Sequence, residues 1–147
     1  MILDPLFFNV VIQKLQDEKV NLPIKIANVI QKHIKKNFTT ESFEGDKWEE
    51  VQRRIPSTKA YKYGTKSSRT NPILTASGKL RKSIQIKTAT WEKVIVGVVG
   101  DAENYAAYLN DGTEDMPKRQ FIPDDMTEPL LNEIDNVIMN EIDKCFI

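Results

Sequence analysis

One histidine, one cysteine and a scatter of carboxylates are the residues that could carry chemistry in this chain. A histidine relay needs a nucleophile beside it, and His33 lies in a lysine-rich run between Lys32 and Ile34 with no such partner signalled. Cys145 stands far from it in sequence, so no thiolate–imidazole metal set is written here. A lone cysteine also excludes an intramolecular disulfide and fits a reducing compartment. Asp101, Glu103, Asp111, Glu114 and Asp115 offer hard oxygen ligands for a cation, but the Asp-x-Asp-x-Asp-Gly pattern of an EF-hand loop is absent. Gly97-x-x-Gly100 lacks both the Gly-Lys-Ser/Thr of a phosphate loop and the third glycine of a dinucleotide fingerprint. No catalytic, metal-binding or cofactor-binding residue is therefore assigned, and the chain is expected not to be an enzyme.

Charge is the stronger signal. The net charge is zero, yet it is polarised along the chain. From Val51 to Ala89 there are ten basic residues and no acidic one, whereas Asp101 to Asp143 holds twelve acidic residues and two basic ones, Lys118 and Arg119. Such asymmetry implies a partner for each pole, and copies of the chain can serve each other. The bland alternative is two solvated faces of one subunit. The basic pole, with Tyr61 and Tyr63 inside it, could also hold phosphates and stack on bases.

These residues must be positioned by a chain of 147 residues, a length that suits one domain. The start, MILDPLFFNVVIQKL, lacks a basic leader and reads as a helix rather than a signal peptide, with Asp4 as cap and Pro5 in the first turn. A second helix is expected to restart at Asn21-Pro23, with Ile26, Ile30, Ile34 and Phe38 as its face. Together these N-terminal helices occupy residues 1–38. Residues 39–73 read as a long loop with a short turn near Trp48. After Glu50 it carries no acidic residue, so self-pairing is not expected to order it, and 56–72 is expected to be mobile until a partner binds.

A sheet core is expected over 74–122. It starts with a short helix capped by Thr75 or Ser77. A hairpin of Ser83–Thr88 and Lys93–Val99 follows, with Trp91 near its turn. A helical turn around Tyr105 and Tyr108 stops at Asn110-Asp111-Gly112, and the last extended piece carries Phe121 and Ile122. A C-terminal helix over 126–145 starts at Thr127-Glu128-Pro129, its stripe being Leu130, Ile134, Val137, Ile138 and Ile142. The expected class is α+β, a small antiparallel sheet packed by N- and C-terminal helices in one domain. No apolar run approaches the ~20 residues of a membrane span.

Several short motifs stand in a distinctive order. They are Phe43, Gly45 and Trp48; then Ile73-Leu74-Thr75-x-Ser77-Gly78-x-Leu80-x-x-Ser83-Ile84; then Val96-Gly97. Tyr105-Ala106-x-Tyr108-Leu109-Asn110-x-Gly112 and Arg119-Gln120-Phe121-Ile122 complete the series. This order resembles the phage virion-morphogenesis or tail-completion family of Mu-like and P2-like phages. Asn110 stands where that family often carries histidine or glutamine. The resemblance implies a non-enzymatic structural protein of a phage or prophage, made in the bacterial host cytoplasm and built into the virion neck or tail. Its role would be tail completion or head–tail joining, as an oligomeric ring in contact with neck or tail proteins and near the DNA channel. The residues expected at subunit or partner contacts are Arg53, Arg54, Lys79, Arg81, Lys82, Tyr105, Tyr108, Glu114, Asp115 and Arg119. The alternative is a DNA-binding accessory protein that uses the basic 51–89 segment.

Overall fold

The computed structural model describes residues 5–147, so the expected Asp4 cap lies outside the described residues. The class is α+β. The N-terminal part is one continuous helix, α1 (Pro5–Thr40), rather than the expected pair. Pro23 removes one backbone donor inside it, a cost of about 3 kcal/mol for an exposed helix interior. Leu22 and Pro23 are both buried, and that burial offsets the loss.

Two short strands follow, β1 (Ser42–Phe43) and β2 (Asp46–Lys47), paired antiparallel with Phe43 opposite Asp46. The turn between them is Glu44-Gly45, with φ of 49° and 102°. Positive φ at both turn positions matches the twist of a tight hairpin, and glycine takes the more extreme value without strain.

The expected loop is largely folded. It contains a 3₁₀ turn at Gln52–Arg54 and two short helices, α2 (Lys59–Tyr63) and α3 (Lys66–Thr70). The hydroxyls of Thr58 and Thr65 cap α2 and α3, accepting from the amides of Tyr61 and Ser68.

Helix α4 (Lys79–Ser83) has Gly78 at its N-cap with φ 70° and no side-chain cap. Neither Thr75 nor Ser77 is the N-cap residue, but the Ser77 hydroxyl accepts from the Lys79 amide at 3.4 Å. Strands β3 (Ile84–Ala89) and β4 (Val94–Val98) form a hairpin closed by reciprocal Thr90 and Lys93 backbone bonds of 2.8 and 3.1 Å. Trp91 is exposed in its turn. A 3₁₀ turn (Gly100–Ala102) leads into α5 (Glu103–Asp111), which ends at Gly112 with φ 78°. A Cβ there would stand 2.7 Å from the Lys118 amide nitrogen, so this stop requires glycine.

The third extended piece pairs with no strand. Only Thr113 and Met116 make an isolated bridge, Pro117 supplies no donor, and the Arg119 amide bonds to the Leu109 carbonyl instead of a strand. The last helix, α6 (Glu128–Cys145), starts as expected from Thr127 with Pro129 in its first turn.

The chain divides into two compact units. The first takes Met1–Lys32, Ile86–Val96 and Asp125–Ile147; its buried side chains include Val11, Leu22, Leu130, Ile134 and Cys145. Ile142, expected in the buried stripe of α6, is exposed, and Glu141 is buried in its place. Its carboxylate accepts from Lys25 Nζ at 2.6 Å and Lys144 Nζ at 2.8 Å. The second unit takes His33–Gln85 and Gly97–Asp124. Its centre is aromatic: the Phe38 ring lies 5.8 Å from Trp48, edge-on, and 5.1 Å from Phe121.

Candidate functional site

All ten residues expected at contacts fall in the second unit, but the structure gives them different tasks. Arg53 and Arg54 leave the 3₁₀ turn in different directions. The Arg53 guanidinium donates to the carbonyls of Ser68, Asn71 and Pro72, the last two at 2.8 and 3.0 Å. Arg54 Nη1 donates to both carboxylate oxygens of Glu41, at 2.8 and 3.0 Å, and its Nε pairs with Glu50 at 3.1 Å. Glu41 also accepts from the Ile73 amide at 2.9 Å. Glu41 follows the end of α1 with φ 50°, a left-handed conformation unusual for a side chain of this kind. Its bonds to Arg54 and Ile73 hold it there.

Protonation in this cluster follows from those contacts. Burial alone would raise the Glu41 carboxyl, but the Arg54 and Ile73 hydrogen bonds outweigh it and hold the group below its ordinary value. Arg54 is raised by its bond to Glu41. Arg53 is lowered, first by burial and then by the neighbouring Arg54 charge. In the first unit the Lys144 and Lys25 bonds lower the Glu141 carboxyl, and the Glu141 bond raises Lys25.

Arg119 is buried, not displayed at a surface. Its Nε donates to the Glu49 carbonyl at 3.1 Å. Next to it, Trp48 Nε1 donates to the Gln120 carbonyl at 2.8 Å. Asn110 Oδ1 accepts from the amides of both Phe121 and Ile122, each at 3.0 Å. Asn37 Nδ2 reaches the Phe121 carbonyl at 3.1 Å. Segment 119–122 is thus held by side chains rather than by a sheet, and the sequence signal for this was the Asn110–Gly112 stop itself.

The other expected contact residues remain at the surface. Lys79, Arg81 and Lys82 are exposed on α4, whose one buried residue is Leu80. Tyr105 is 39% exposed and Tyr108 58%. Glu114 and Asp115 are exposed in the turn closed by Thr113 and Met116. Leu74, Ala76, Ser77 and Leu80 face Tyr105 and Leu109 across an open groove of about 210 Å³. This groove brings Tyr105 and α4 together. The basic segment itself is partly committed to the fold: Arg69 lies 4.4 Å over the Tyr61 ring and donates to the Tyr61 carbonyl, while Lys59, Lys62 and Lys66 are exposed.

Among the described residues, no three His, Cys, Asp or Glu side chains gather to hold a metal ion, Asp101, Glu103, Asp111, Glu114 and Asp115 included. No described helix is long and apolar enough to cross a membrane. Comparison with protein-family models, curated proteins and solved structures finds no match to this chain.

Proposed function

We propose that this chain is a non-enzymatic structural protein of a phage or prophage, acting in tail completion or head–tail joining as part of a ring at the neck. Its partners are copies of itself and neck or tail proteins, and its place is the virion, after assembly in the bacterial host cytoplasm. One observation carries the reading: the motif residues are spent on one another. Trp48 binds the Gln120 carbonyl, Arg119 binds the Glu49 carbonyl, and Asn110 binds the Phe121 and Ile122 amides. Motifs far apart in sequence interlock into a frame, and their polar groups serve that frame. An assembly component needs this kind of rigid frame beneath its contact surfaces.

The test is deletion of the gene in an inducible lysogen, with the lysate viewed by negative-stain electron microscopy. Full heads separate from unattached tails are expected. Normal, infectious virions would overturn the reading. The exposed Lys59, Lys62 and Lys66, beside the 87% exposed Tyr63, favour the alternative of a DNA-binding accessory protein. In that case duplex binding that weakens steeply with salt is the deciding measurement.

A further inference from the structure

Two surfaces of the chain carry opposite charges, and each sets them beside apolar side chains. The first is the α4–α5 groove of the second unit. Leu74, Leu80, Tyr105 and Leu109 give it apolar walls, and Lys79, Arg81 and Lys82 stand exposed on the helix that carries Leu80. The second is a stripe on α6. Glu128, Leu131, Asp135, Met139 and Ile142 recur every three or four residues, so they share one helix face. All five are exposed, and the residues that α6 buries, Leu130, Ile134, Glu141 and Cys145, lie on a different face. The stripe combines two carboxylates with three large apolar side chains. The groove offers apolar walls with cations beside them.

We propose that a second copy of this chain lays its α6 stripe into the α4–α5 groove of the first; this deepens, and rests on, the assembly reading above. Leu131 and Met139 fill the groove against Leu80 and Tyr105. Glu128 and Asp135 face Lys79, Arg81 and Lys82. A helix seated in a groove by residues three and four apart is a common recognition mode. The two surfaces differ, so the contact is head-to-tail. Where it is not reciprocated between the same two copies, it propagates into a ring or a filament. The opposite charges steer encounter and fix register.

The experiment is sedimentation velocity on the full chain at low salt and at about 1 M salt, where the Debye length falls to about 3 Å. Three samples are compared: the wild type, R81E/K82E, and E128K/D135K. All four altered residues are exposed, and circular dichroism checks that each variant folds. The wild type is expected to associate at low salt and dissociate at high salt. Each variant is expected to weaken association by more than about a hundredfold, because like charges then meet. Mixing the two variants is expected to restore it, since the acidic stripe of one meets the basic groove of the other, and the reverse. A monomeric wild type at low salt overturns the proposal. So do variants that associate like the wild type, which would place the contact on another face, and a mixture that stays apart. A monomeric chain whose deletion still leaves unjoined heads and tails overturns this contact alone. A chain that associates as described, but whose deletion leaves infectious virions, overturns the joining role alone.

Discussion

Residues 41–73 and residues 84–112 are each about thirty residues of ordered chain, but they are ordered by different means. The later region is patterned. Its β-branched runs pair as β3 and β4, Ala106 is buried on α5, and Gly112 stops that helix. Each local choice agrees with the element formed. The earlier region has hardly any apolar pattern, and only Ser42, Trp48 and Ile73 in it are buried. It is ordered by single polar side chains reaching across sequence: Glu41 to Arg54 and Ile73, and Arg53 to three carbonyls. Order from pattern is shared among many residues. Order from single long-range bonds is concentrated in a few.

Breaking each kind of order should therefore look different. Ile84 is fully buried, and Ile84→Ala should cost about 2–5 kcal/mol, as deletions in a packed core do. Urea unfolding should stay a single transition, shifted to lower midpoint. Arg53→Ala removes the donor from three carbonyls at once and should cost about 2–3 kcal/mol. Its signature is local: limited proteolysis should cut within 59–70 well before the rest of the chain. Arg53→Lys should rescue little, because an ammonium cannot reproduce the guanidinium fork.

The smallest effect sharpens the comparison through pH. Glu41 is held below its ordinary value of 4.5 when folded. Its contribution is therefore complete above that unfolded-state value and is lost as pH falls through the lower folded value. Glu41→Gln should cost about 1–2 kcal/mol at neutral pH, with Arg54 partly exposed. The gap between wild type and variant should close on acidification below pH 4.5, measured by denaturant titration at each pH.

Legibility followed the same division. The β3–β4 hairpin, the α5 stop and the α6 start could be read because each is written in neighbouring residues. The continuity of α1 through Pro23 could not, because it depends on burial of Leu22 and Pro23 rather than on local propensity. The folding of 56–72 was hidden for a similar reason: its anchor, Arg53, looks like any other cation of the basic pole. Glu141 was hidden too, since a carboxylate on a buried helix face makes sense only once Lys25 arrives from a distant helix. Of the expected contact residues, Lys79, Arg81, Lys82, Tyr105, Tyr108, Glu114 and Asp115 lie at the surface, while Arg119 is buried and Arg53 and Arg54 bind within the fold. Residue type gives charge, but only the fold gives direction.

Arg53 reaches 15, 18 and 19 residues along the chain. Loops of that size are the ones small extracellular domains tie with disulfides, where closing about fifteen residues is worth about 3 kcal/mol. Here the tie is a guanidinium, which thiols cannot reduce and oxidants do not form. The loop stays fastened at any redox potential.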